Sequence, residues 1–439
     1  MVHETEQSER LRRFRVWGTV MVGLCFLIGI VAYGGGRYCF GVFIKPMSEA
    51  LDWSRTQISL GATINLIVYG LASPFVGRLQ DRVGIKVSVV AGAAIVGLSL
   101  CLMYFCSSLW VFYLLFGAAA AVGVNMAGRI TQATIVTNWF IRQRGLMFGV
   151  TAFSIGLGTT IIAPAANAVL ERMGWRSAFL FLGSLFFLVI LVPAVFLIKG
   201  KGRPEDRGFG PDGSPLTAGP EARNRNQAAQ AGGNPSRDWT LREAFGTSAF
   251  WGILIAMGLS YMADYIVLFH GIPCFQDRGL TPASAASVIA LGSLVSCAGR
   301  VGFGWLADRI DTRACIVLML VLQIAASPFL IFGGGSESLL YAFAVIWGIG
   351  YGGLAPLMPA VSSDYFGRAN FGAIFGWVTM ATVIGGAVGS TLGGWIYDLA
   401  GNYDPAWWGT VAMRAVACVI VFAMAGRPVK RVEPEGIVP

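Results

Sequence analysis

The chain has 439 residues, of which 55% are hydrophobic and only 13% charged, with a formal net charge of +9. Soluble domains carry about 25% charged residues, so an ordinary water-soluble fold is excluded. The basic balance by itself suggests nucleic acid. The positions of the charges, in loops beside apolar segments, assign it to membrane topology instead.

A helix needs ~20 apolar residues to cross the ~30 Å hydrocarbon layer. Residues 56–77, 87–128, 145–170, 177–198, 279–299, 314–336, 338–363 and 369–397 contain no Asp, Glu, Lys or Arg, and 87–128 is long enough for two passes. Spans are predicted at 17–45, 55–77, 86–106, 109–138, 145–169, 175–198, 244–271, 282–305, 314–333, 338–363, 370–397 and 407–425. The first is too long for a signal-peptide core and is expected to stay in the membrane. An even number of spans puts both termini on one face. Arg10, Arg12, Arg13 and Arg15, then Arg78, Arg82 and Lys86, then Arg142 and Arg144, and later Arg309 and Arg313 all fall on that face. The other face has few cations, among them Lys45, Arg55, Arg172, Arg176, Arg278 and Arg414. The positive-inside rule then predicts a multi-pass plasma (bacterial inner) membrane protein with both termini cytoplasmic.

The expected organisation is an N-terminal tail (1–16), a six-helix bundle (17–198), a linker (199–243), a second six-helix bundle (244–425) and a C-terminal tail (426–439). The linker is rich in Gly, Pro, Arg, Asn and Gln, and reads as flexible. It ends on Thr240-Leu-Arg-Glu243, the spacing of a capping box. The eight cysteines lie scattered in apolar segments with no CxxC pair or ligand-like His, so they read as packing residues, and no metal or cofactor is expected.

The two halves repeat. Gly77-Arg-Leu-Gln-Asp81-Arg82-Val-Gly84-Ile-Lys86 follows span 2, and Gly304-Trp-Leu-Ala-Asp308-Arg309 follows span 8. Asp81 and Asp308 are 227 residues apart, as are Pro46 and Pro273, and Gly149 and Gly376. One offset at independent places indicates an internal repeat. Repeats of this kind place a substrate site near mid-membrane between the halves.

The segment at 77–86 resembles the loop signature of the major facilitator superfamily, and the copy after span 8 fits it. The resemblance implies an all-α membrane protein of twelve transmembrane helices in two pseudo-symmetric six-helix bundles. In that family the loop residues stabilise and gate the cytoplasmic face without touching substrate, a role that falls here on Gly77, Asp81, Arg82, Gly84, Lys86, Gly304, Asp308 and Arg309. Three further places are similar to the monocarboxylate transporter and oxalate/formate exchanger group: Gly41-Val-Phe-Ile-Lys45-Pro-Met, Asn138-Trp-Phe-Ile-Arg142-Gln-Arg144-Gly145-Leu-Met-Phe-Gly149, and Arg300-Val-Gly-Phe-Gly304. The group's substrate-binding Arg corresponds to Arg300. Many monocarboxylate transporters carry an Asp four residues earlier, where this chain has Ser296, which puts the proton site in question. The oxalate exchangers carry a Lys in helix 11. Span 11 has none here, which argues against a dicarboxylate.

Charges inside spans cost at least ~2.5–3.5 kcal/mol on insertion scales and should face a cavity or a partner. Four are predicted: Arg37, Arg129, Asp264 and Arg300. Arg300 is the first choice for a substrate carboxylate, because its guanidinium grips in bidentate fashion and stays charged when dehydrated; a structural ion pair is the competing reading. Arg37 and Asp264 are themselves 227 residues apart and fit a pair across the cavity, either broken by a proton on Asp264 or permanent. Arg129 reads as structural, held by Asn125, Thr131 and Gln132. His270, near the outer end of span 7, suits proton pick-up or an interfacial hydrogen bond. Tyr33 and Tyr261, on lining spans, are candidate substrate contacts beside Arg37 and Arg300. Gly34-Gly35-Gly36 suits either a loosened helix or close packing. Gly348, Gly350, Gly352 and Gly353 echo a phosphate loop, but no strand precedes them.

The reading that follows is a monomeric, proton-coupled symporter of a small organic anion, a monocarboxylate, working by alternating access. Anion exchange and export of a drug-like compound are its carrier alternatives. A substrate-sensing membrane receptor is the non-carrier alternative. An enzyme is disfavoured, since no nucleophile–base pair, metal cluster or cofactor motif stands out.

Overall fold

The computed structural model of the chain describes residues 2–35, 38–215 and 238–424. Its long helices are α1 (Val2–Gly34), α2 (Arg55–Val83), α3 (Ile85–Leu102), α4 (Leu109–Trp139), α5 (144–173), α6 (175–197), α7 (Ser248–Asp277), α8 (Pro282–Ala307), α9 (Thr312–Phe332), α10 (Glu337–Phe366), α11 (Phe371–Ala400) and α12 (Asp404–Ala423). No strand occurs among the described residues. α5 and α6 run on from each other except at Gly174, whose φ of +82° turns the chain where a Cβ would be strained.

Local sequence sets the ends. Ser54 and Gln57 form a reciprocal capping box at the start of α2. Thr281 caps α8 with Pro282 at its first position. Thr240 and Glu243 close the expected box on the short helix Leu241–Phe245. Large apolar side chains such as Phe75 (73% exposed) and Phe422 (83% exposed) point away from the protein, as a lipid-facing surface requires.

The core comes in three clusters. One fills the first bundle and one fills the far half of the second. The third joins the bundles: Val76, Ile130 and Phe148 pack with Phe303, Leu357 and Val378.

Three expectations are corrected. The first span was expected unbroken over 17–45, but α1 begins at Val2 and ends at Gly34, with a 3-10 turn at Tyr38–Phe43 and a short helix at Ile44–Leu51 beyond it. α1 ends where it packs tightly on α5: a Cβ on Gly34 would lie 2.4 Å from the Gly158 carbonyl oxygen. α4 is interrupted by a π-helical turn at Tyr113–Ala119 and a break at Gly128 (φ −93°, ψ −123°). The start of the linker is tied down rather than flexible. Lys201 C=O accepts from Ile85 N–H (2.9 Å), Gly202 C=O accepts from Trp139 Nε1–H (3.0 Å), and Arg207 stacks on Trp17 at 3.2 Å.

Candidate functional site

A cavity of about 80 Å³ lies between the bundles, lined by Tyr33, Tyr69, Arg129 and Ile155 from the first and by Tyr261, Tyr265, Arg300, Tyr351 and Thr379 among others from the second. α4 delivers Arg129 at its Gly128 break. Interrupted helices are where membrane folds expose polar groups to a ligand, provided that the break faces a cavity. Arg129 Nη2 donates to Tyr261 Oη (2.7 Å), and its guanidinium lies 5.7 Å from that ring's centre. Asn125, Thr131 and Gln132 do not hold Arg129, contrary to expectation. They donate instead to carbonyls of Tyr69, Met126 and Cys25, stitching α4 to α2 and α1.

Arg300, from α8, donates Nη1–H to the Ala152 carbonyl of α5 (2.9 Å). Among the described residues neither Arg129 nor Arg300 forms an ion pair. Thr379 Oγ1, buried on the cavity wall, has no hydrogen-bond partner among the described residues. Two guanidiniums, a ring of phenols and a spare hydroxyl make a small, cationic site suited to an anion with a further polar group.

Asp264 does not line this cavity. Its carboxylate is fully buried in the second bundle, where Arg414 Nη2 (2.9 Å) and Trp347 Nε1 (3.0 Å) donate to Oδ1. Gln323 Oε1 in turn accepts from Arg414 Nε (2.6 Å). The expected partner, Arg37, lies outside the described residues. Arg414, assigned from sequence to the outer face, is 1% exposed within α12. A charged residue amid apolar ones, seven positions past Trp407, was the available signal. Trp347 stacks on the cavity-lining Tyr351 (centroids 5.0 Å apart, 8° between planes), so the pair touches the site at one remove. His270 sits apart, its Nε2–H donating to Ser390 C=O (2.8 Å) and its Nδ1 3.4 Å from Tyr403 Oη.

The residues of the loop signature form two matching locks on the face that carries the linker. Asp81 accepts from Gly372 N–H (3.0 Å) and Ala373 N–H (2.7 Å) at the start of α11. Asp308 accepts from Gly145 N–H (2.6 Å) and Leu146 N–H (2.8 Å) at the start of α5. Helix N-termini favour a carboxylate. The glycines permit the approach: a Cβ on Gly77 would lie 1.9 Å from Gly372 O, and one on Gly304 2.3 Å from Gly145 O. Arg82 and Arg309 are exposed, and Arg309 stacks on Trp305 rather than pairing with Asp308. Gly84 ends α2 with φ +93° over Lys201, next to Lys86 on α3. These contacts close the linker face.

The sequence matches the family described as Major Facilitator Superfamily over residues 26–339 and 279–438. The chain belongs to the major facilitator superfamily. It is a membrane transporter of that superfamily, related to monocarboxylate transporters, and its relatives are not enzymes. It is 25% identical over 404 residues to monocarboxylate transporter 13 of Rattus norvegicus, covering 92% of this chain and 86% of that one. It is 28% identical over 395 residues to monocarboxylate transporter 11 of Homo sapiens, covering 88% and 78%. Among solved structures, the proton:xylose symporter XylE bound to 6-bromo-6-deoxy-D-glucose superposes with a TM-score of 0.71 at 13% identity, covering 93% of this chain and 96% of that one. The fucose transporter FucP in its outward conformation superposes at 0.69 and 13% identity, covering 94% and 99%. These two likenesses establish the fold of the transporter and leave its substrate to the site.

Proposed function

We propose that the protein is a proton-coupled carrier of a small organic monocarboxylate, working by alternating access. One observation carries the reading: Arg129 and Arg300, from opposite bundles, meet one cavity of about 80 Å³ without a carboxylate to neutralise them among the described residues. A carboxylate entering from the face opposite the linker docks on the Arg300 fork, releasing the Ala152 carbonyl. Its far end meets Arg129 and the hydroxyls of Tyr261 and Tyr33. Filling the cavity draws the bundles together on the open side, and the Asp81 and Asp308 locks then release on the other. Names of relatives at 25% and 28% identity support a monocarboxylate.

For the proton, Asp264 is the candidate store. A proton there breaks the bond to Arg414 and loosens Trp347, which holds Tyr351 at the cavity wall. His270, nearer the end of α7, is the candidate entry point. One monoanion with one proton moves no net charge, so a pH gradient drives uptake and membrane potential does not. The basic loops of the linker face support a plasma-membrane carrier with both termini in the cytoplasm.

The test is purified protein in liposomes with an inward proton gradient, offered a panel of labelled carboxylates. Uptake that needs the gradient and is lost in Arg300→Lys, which keeps charge but not the fork, is expected. Full uptake by Arg300→Lys, or accumulation driven by potential at equal pH, contradicts the reading.

A further inference from the structure

The linker face holds a second and much larger cavity, of about 790 Å³, between α1, the α4–α5 turn, α5 and linker residues Asp212–Pro215. Its mouth carries Arg10 and Arg15 of α1 and Arg142 of the turn. None of the three forms an ion pair among the described residues, and Arg10 Nε is buried without a hydrogen-bond partner there. The one acid in the wall, Asp212, is already occupied: its carboxylate accepts from the N–H groups of Ile141 (3.1 Å) and Arg142 (2.9 Å). The inner end is apolar, with Val22 on α1 and Val150 on α5. From Arg10 to Val22 a helix climbs about 18 Å toward mid-membrane.

We infer that this cavity binds an anionic phospholipid from the leaflet on the linker face. The head's phosphate meets the three arginines, and an acyl chain follows the apolar wall toward Val22 and Val150. The polarity runs the same way as in the bilayer, charged at the surface and apolar inward. A soluble anion satisfies only the mouth and leaves the apolar end wet, which is unfavourable. The site does not depend on what the central cavity carries.

The experiment uses the full-length protein, purified and exchanged into mixed phosphatidylcholine and phosphatidylglycerol nanodiscs, with retained lipid counted by native mass spectrometry. Wild type is expected to retain phosphatidylglycerol over phosphatidylcholine. Retention should fall about fivefold for each arginine replaced in Arg10→Gln, Arg15→Gln and Arg142→Gln. Val150→Trp fills the apolar end with every charge in place, and is expected to lower retention as well. It keeps the inference testable if the arginine variants insert poorly. Equal retention of the two lipids overturns the proposal, as does unchanged retention in Val150→Trp. Displacement of the lipid by millimolar inorganic phosphate overturns it in favour of a soluble-anion site. Absence of saturable binding overturns it in favour of a groove filled by the chain itself.

Discussion

The Asp81 and Asp308 locks are the same device built twice, and about two turns earlier the two copies part company. The repeat offset of 227 carries Gly77 onto Gly304, Gly145 onto Gly372 and Gly149 onto Gly376. A Cβ on Gly376 would lie 2.4 Å from Ser73 O, and one on Gly149 would lie 2.4 Å from Arg300 O. The crossings α2–α11 and α5–α8 therefore share one backbone arrangement. Yet Ser73 donates within its own helix, to Tyr69 O (2.8 Å), while Arg300 reaches the cavity. The duplicated backbone supplies the matched crossings, and the unmatched side chain reaches the cavity. The buried ion pair follows the same logic. Where the second bundle has Gln323, Trp347 and Arg414, the first has Val96, Ala120 and Phe187 at the 227 offset, all three apolar.

Making the second half resemble the first tests that contrast, and the largest effect is expected at the ion pair. Asp264→Asn or Arg414→Gln leaves one buried charge without its partner and should cost about 3–5 kcal/mol, read as a lower unfolding temperature of the purified protein. Asp264→Leu combined with Arg414→Phe, which removes both buried charges together, should recover most of that loss. Proton-dependent uptake persisting in a folded double variant would remove Asp264 from the coupling mechanism. Next comes Arg300→Ser, which turns the cavity residue into its counterpart from the first half. Loss of a charge-assisted contact to the substrate should lower uptake by about a hundredfold in liposomes, at normal unfolding temperature. A smaller effect is expected where the halves agree. Asp81→Ala and Asp308→Ala each remove the carboxylate oxygens that accept from a helix N-terminus, about 1 kcal/mol, a roughly fivefold shift toward opening of the linker face. Spin-label distances across that face should widen to the same extent in both variants, and a response confined to one of them would end the claim of equivalent locks.

The scaffold was legible in the sequence because lipid forbids unsatisfied backbone, so length and apolarity alone locate the spans, and a duplicated loop marks the halves. Tyr261 was legible as a member of a lining span, and Arg300 as an intramembrane charge at the position of the resembled group's substrate-binding Arg. The Arg129–Tyr261 contact was not, because it joins residues 132 positions apart across two bundles. Arg414 was misplaced because topology counting treats a cation near a span's start as a loop charge, whereas Asp264, 150 residues earlier, draws it into the core. The break at Gly128 had a visible sign, a glycine beside an intramembrane arginine, but glycine also marks close packing in helices of this kind, and sequence does not separate the two.

The smallest expected effect concerns pH at the Asp308 lock. Asp308 lies just beyond the end of α8, and its burial against α5 pushes its carboxyl above the usual carboxylate range, with the N–H groups of Leu146 and Gly145 pulling back only in part. When the face opens, the group regains water and its ordinary value. The closed state thus binds a proton more readily than the open one. Its share of closure from Asp308 is complete below the ordinary carboxylate range and is lost as pH rises toward the raised value. The expectation is that linker-face distances widen modestly over that window, and that Asp308→Asn, which cannot titrate, flattens the response. A widening that survives Asp308→Asn assigns the pH sensitivity to another group, and a narrowing with rising pH shows that the N–H bonds to the carboxylate, rather than its loss of water, set the balance.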